Sequence, residues 1–194
     1  VGNVVVVPAG DPRRARLEVE GWSVTARSFG ARLDVSDADA DRLSALVSTV
    51  GAGVALRSLA EDDVDAVLRL DAATLGDYPG SLATRHDPLD RERAIPCRTR
   101  RAFGALDEAG VLLAMTYVDV TGTTAETDFA VVRSAHRGRG IGVALKAFSL
   151  QVLAGEGVRR FRTGGSADNP AIIGANQRLG YVTDEEWVTL EPRA

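Results

Sequence analysis

Cysteine is almost missing from this chain of 194 residues: Cys97 stands alone. That excludes an internal disulfide and makes a reducing cytoplasm the expected setting. No His pattern accompanies Cys97 to make it a nucleophile, and no metal site is expected. Aromatic residues are scarce, 5% of the chain, and only Phe148 and Phe161 fall among the arginines between 133 and 162. The base-stacking platform of a nucleic-acid binder is therefore not in evidence, and a net charge of −4 argues against one. No apolar run approaches the length that crosses a bilayer, and the N-terminus has no secretory pattern, so no membrane partner is expected. What remains is 45% hydrophobic and 26% charged, the balance of a globular protein of one domain or one domain with an appended piece.

Glycine, by contrast, is placed with purpose. Thr127 to Gly142, TDFAVVRSAHRGRGIG, reads as a short apolar strand, Phe129 to Val132, then a turn and a glycine-punctuated loop. A helix follows, because Ile141, Leu145, Phe148 and Val152 recur at steps that share one helical face. The first N–H groups of a helix have no intrahelical partner, and the helix dipole adds positive charge there. Gly138, Gly140 and Gly142 remove Cβ atoms that would hold an anion away, while Arg137 and Arg139 add charge. The stretch reads as a diphosphate cradle. A dinucleotide loop needs G-x-G-x-x-G and an acidic residue ending the next strand, whereas Val158 to Thr163 runs into Gly164-Gly165. A nucleotide P-loop needs Gly-Lys-Ser/Thr, which is absent. The plain alternative is an ordinary glycine-rich connection.

Arg137-x-x-Gly140-x-Gly142 after a strand resembles the acyl-CoA pyrophosphate motif of the GNAT superfamily of N-acetyltransferases. Asn169-Pro170 opens a helix ending in Asn176-Gln177-Arg178-Leu179-Gly180-Tyr181, similar to the family's second signature helix. Glu126, six residues before Val132, stands where several members carry a catalytic base. The likeness runs from Val54 to Leu190 and is strongest from Glu126 to Tyr181. It implies an α/β (α+β) fold with a mixed, mostly antiparallel central sheet flanked by helices, and acetyl-CoA as cosubstrate without a metal. By the same resemblance the diphosphate lies on Arg137, Gly138, Arg139, Gly140, Ile141, Gly142 and Val143. The pantetheine arm runs along the backbone of Val131 and Val132, touching Asn169 and Asn176.

The activity so implied is acetyl transfer to a primary amine of a small molecule or peptide by direct attack. Glu126 is the expected base and Asp128 the alternative; along a regular strand both share a face with Ala130, and neighbouring carboxylates raise each other's pKa. Many members carry, at the place of Asn176, a tyrosine that protonates the departing thiolate. Asparagine donates a hydrogen bond but supplies no proton. That leaves the general-acid step open, with Tyr78 or Tyr117 as substitutes from the acceptor side. A second reading is a CoA-binding sensor or regulatory protein that has lost its chemistry. A homodimer is compatible with either.

Residues 53–194 form the expected acetyltransferase domain. Within it, Gly76 to Arg100 is an irregular acceptor-side stretch where His86 is read as a solvated loop residue and residues 88–93 as one helical turn. Arg133, Arg159, Arg160, Arg162 and Lys146 are read as phosphate partners or solvated charge. Residues 1–52 look appended, a β-α-β-α piece with a helix from Ser36 to Val50 and a strand or hairpin from Trp22 to Leu33 bending near Gly30. VVVVPAGDPRRARLEVEGWSVTARSFGARL lies over RRFRTGGSADNPAIIGANQRLGYVTDEEWVTL, both reading strand, Asp/Asn-Pro, helix, Gly-aromatic, strand. The piece is either the remnant of a second acetyltransferase-like half or a chance recurrence.

Overall fold

The computed structural model describes residues 4–77, 84 and 86–193. Eight strands make one sheet: β1 (Val5–Pro8), β2 (Trp22–Asp34), β3 (Val54–Ser58), β4 (Arg100–Asp107), β5 (Leu112–Thr121), β6 (Thr124–Val132), β7 (Arg160–Ser166) and β8 (Val182–Pro192). Their order is β1-β8-β2-β7-β6-β5-β4-β3. The helices are α1 (Arg13–Val19), α2 (Ala40–Val47), α3 (Val64–Thr74), α4 (Arg91–Ala94), α5 (Ile141–Gly155) and α6 (Pro170–Leu179).

β4 and β5 are buried on successive residues rather than alternate ones, because both faces of the sheet are covered. On one face lie Leu43 and Leu46 of α2, Ile141, Leu145 and Leu150 of α5, and Leu179 of α6. Val64, Val67 and Leu70 of α3 and Ala94 of α4 cover the other. Every neighbouring pair of strands is antiparallel except β6 and β7, which α5 joins by a crossover. That parallel pair is short. Thr124 to Glu126 align with Arg160 to Arg162, and beyond them the two strands part.

Several expectations are refined. The helix expected from Ser36 starts only at Ala40, because the Asp39 side chain accepts from Arg42 N and caps it there. β2 is one long strand, with register shifts between Val24 and Ala26 and between Gly30 and Ala31 that absorb the expected bend. His86 is not solvated. It is 8% exposed, its Nε2 lies 2.6 Å from Asp71 Oδ1, and its ring stacks on Phe129 at 4.0 Å. Asp71 also accepts from Leu89 N, so it anchors the segment leading into α4.

The strands of residues 5–34 and of residues 160–192 interleave. β1-α1-β2 and β7-α6-β8 each run strand, helix, strand, and their strands alternate as β1, β8, β2, β7. Exchanging one unit for the other leaves that order unchanged. A glycine in the left-handed region follows each helix, Gly21 with φ 91° two residues after α1 and Gly180 with φ 93° directly after α6.

Candidate active site

The cradle starts where β6 ends. Gly138 and Gly140 take φ of 73° and 80°, which turns the chain so that α5 begins at Ile141. Ala144 N, bonded to Gly140 O, is the first amide of that helix with a backbone acceptor. Six consecutive amides before it, Gly138 to Val143, have no acceptor among the described residues. A Cβ on Gly142 would stand 3.2 Å from Val132 Cγ2, so glycine keeps the loop close to the strand. Arg137 closes one side, with Nε donating to Val132 O at 3.0 Å and Nη2 to Asp77 Oδ2 at 2.5 Å.

These amides open on a cleft of about 500 Å³ that continues along Ala130 to Val132 and past Lys146, Asn169 and Ile172. The parting of β6 and β7 makes it. Arg133 N donates to Leu113 O at 2.8 Å, so the facing pair Val132–Ala114 is of the non-hydrogen-bonded kind. Val132 therefore directs its own N–H and C=O away from β5. The C=O is taken by Arg137, whereas the N–H has no acceptor among the described residues. Asn169 caps α6 through Ile172 N at 3.2 Å and borders the cleft.

Strand alternation fails between the two candidate bases. Tyr117 faces Phe129 and Val118 faces Thr127, so Asp128 is the extra residue of a bulge. Ala125 accordingly packs on the α5 side while Phe129 and Val131 pack on the α3 side. Glu126 and Ala130 thus lie on opposite faces, contrary to the alternation expected. Asp128 is held by Arg100 Nη2 at 2.7 Å. Glu126 is exposed and makes no hydrogen bond or ion pair among the described residues.

The one described tyrosine outside the signature helix, Tyr117, is not placed to serve as a substitute acid. Tyr117 is fully buried on the α3 side, its hydroxyl donating to Ala94 O at 2.7 Å, and burial pushes its pKa up. Tyr78 lies outside the described residues. Tyr181 is buried, and burial raises its pKa as well, with Thr127 opposing the shift.

The basic side chains divide. Arg160 pairs with Asp34, and Arg162 with Asp184 and Glu185, as surface charge. Lys146 is different, and the reading of it as solvated charge is overturned. It is 3% exposed, and its Nζ donates to Thr163 Oγ1 at 3.1 Å and to Asn176 Oδ1 at 2.8 Å, 5.5 Å from the Tyr181 ring centroid. Burial without a paired carboxylate pushes its pKa from 10.5 down to about 7. Asn176 is 3% exposed, and its Nδ2 is buried without a partner. The sequence did hold a signal for Lys146. It is the only lysine in a Lys+Arg total of 23, set between the buried Leu145 and Ala147.

Among the described residues no His, Cys, Asp or Glu cluster could hold a metal ion, and no helix is long and apolar enough to cross a membrane. A family model described as the Acetyltransferase (GNAT) family matches residues 69–181. Mycothiol acetyltransferase of Streptomyces coelicolor is 31% identical over 138 residues, 69% of this chain and 44% of that protein. The chain thus spans less than half the length of that relative. In fold it is similar to a GCN5-related N-acetyltransferase of Sphaerobacter thermophilus, with TM-score 0.71, 17% identity, and coverage of 100% of this chain and 62% of that one. A tandem GNAT protein of the clavulanic acid biosynthesis pathway gives TM-score 0.66 at 24% identity, covering 96% of this chain and 62% of its own.

Proposed function

The chain belongs to the GNAT acetyltransferase family, and from that premise we propose that it transfers an acetyl group from acetyl-CoA to a primary amine of a small molecule or peptide. The observation that carries this is the run of unpartnered amides from Gly138 to Val143, opening on the same cleft as the Val132 N–H. A diphosphate answers the first and a carbonyl oxygen the second. Acetyl-CoA supplies the activated thioester. The chain's own residues bind, orient and move protons around it.

Gly138 to Val143 hold the diphosphate, with Arg139 beside them and Arg137 as the wall. Val131, Val132, Asn169 and Asn176 border the arm, and Val132 N–H is the donor toward the oxygen that gains charge. Glu126 takes the proton of the attacking amine, directly or through one water. Asp128, committed to Arg100, shapes the acceptor side. Amines related to mycothiol are the first acceptors to screen, from the name of the Streptomyces relative.

We also assign residues 53–194 to the acetyltransferase unit and residues 1–52 to the remnant of a second such half. The exchange of β1-α1-β2 with β7-α6-β8 supports this. A chain in which residues 4–34 are replaced by a second copy of 160–192 should then fold, as judged by cooperative thermal unfolding. Its collapse would count against a shared origin.

Calorimetric titration of acetyl-CoA and of free CoA tests the main reading, followed by an amine screen scored by thiol release. Micromolar binding with turnover is expected. Binding without turnover on any amine would leave a sensor or regulatory protein, and no binding would remove the cosubstrate assignment.

A further inference from the structure

Resting on the reading of the cleft as an acetyl-CoA site, we propose that Lys146 is the group that protonates the departing coenzyme A sulfur. Its place in the chain argues for it first. Every other basic side chain of the Lys and Arg class is arginine, and a guanidinium does not release its proton in a protein. The one amine stands on α5, one turn past Gly142, with its Nζ in the interior beside the cleft.

Its surroundings argue for it second. Thr163 of β7 and Asn176 of α6 accept two of its hydrogen bonds, and no carboxylate among the described residues pairs with it. A lysine kept for structure alone is normally paired when buried, because an uncompensated ammonium is costly there. This one is held by neutral oxygens that leave its proton labile. Because Asn176 Oδ1 faces Nζ, Asn176 Nδ2 faces elsewhere, buried and without a partner. It is a donor set for an acceptor that the chain itself does not provide.

The amine nitrogen bonds to the thioester carbonyl carbon, and its proton leaves toward Glu126. The carbon–sulfur bond breaks with both electrons on sulfur. Lys146 Nζ gives one proton to that sulfur and becomes neutral, and solvent reprotonates it once the thiol has left. A thiol holds its proton more tightly than an ammonium depressed by burial, so the transfer runs downhill. Lys146 is not an acyl carrier, since an amide on Nζ would not turn over.

The single lysine makes the test direct. Protein grown with 13C,15N-lysine gives one lysine side-chain signal, whose pH titration is followed alone, with CoA and with desulfo-CoA. The midpoint with CoA should differ from that with desulfo-CoA by about half a unit or more, since only the former brings a sulfur to Nζ. Equal midpoints with both ligands bound, shown by calorimetry, would overturn the proposal and leave the cosubstrate reading standing. Failure of both ligands to bind would bring down the two together. An acetyl group found on Lys146 by mass spectrometry after incubation with acetyl-CoA would also overturn it, making the lysine an acceptor. In turnover, the alkaline limb of kcat in the native protein should vanish in Lys146→Met.

Discussion

Lys146 Nζ and Asn176 Oδ1 lie 2.8 Å apart, tying α5 to the last turns of α6 through a charge that no carboxylate among the described residues balances. The same bond fixes which way the Asn176 amide faces. It also makes the interior of this chain sensitive to proton concentration.

Below about pH 7 the native and unfolded chains both hold the Lys146 proton, and the native state carries the full cost of the buried charge. Between about 7 and 10.5 only the unfolded chain holds it, so this site adds stability as pH rises through that window. Lys146→Met removes the dependence. Its stability relative to the native chain, from urea unfolding, should be highest on the acid side and fall steadily toward alkaline pH. A difference that does not vary with pH would show that Lys146 titrates normally.

Gly140→Asp should weaken acetyl-CoA binding more than about tenfold by calorimetry, because it sets a carboxylate among the amides meant for phosphate. Gly140→Asn is the control for backbone strain at φ 80°, which asparagine tolerates better than most residues. Equal losses in the two variants would mean that geometry, not charge, matters at this position.

Glu126→Gln should lower kcat on the order of 100-fold while leaving the acetyl-CoA Kd unchanged. Asp128→Asn should cost less, since Asp128 already serves Arg100. Steady-state kinetics with one amine acceptor decides; the reverse ranking would move the base to Asp128.

Asp71→Ala removes the acceptor for both His86 Nε2 and Leu89 N in the interior. A loss of about 2–3 kcal/mol is expected in chemical denaturation. An unchanged midpoint would mean that the segment around His86 is held by other contacts.

Much of this site was legible because its signals are local. Gly138, Gly140 and Gly180 take positive φ and Pro170 opens a helix, each announced by residue type alone. The bulge at Asp128 carries no such mark: the residues around it are ordinary strand formers, and only the pairing of Tyr117 and Val118 across the sheet creates it. The burial of His86 is not legible locally, because its partner, Asp71, is fifteen residues away on α3. The burial of Lys146 runs against the pattern in which charge marks the outer face of a helix. On α5 that rule fails, since Leu145, Lys146 and Ala147 are buried in succession. α2 and α6 pack against α5, and Lys146 reaches Thr163 of β7, where a simpler helix would meet solvent.

The alternation of β1, β8, β2 and β7 also sets a timetable for synthesis. β2 makes its pairs with β7 and β8, and β1 with β8, so none of the strands in residues 1–34 has a sheet partner until residues 160–192 exist. At about 5–20 residues per second, the first strands wait on the order of ten seconds outside the ribosome. Val7 and Leu33, each nearly fully buried at the end, spend that time in water. Closing such distant pairings is slow, and the nascent chain is exposed to aggregation and to chaperones throughout.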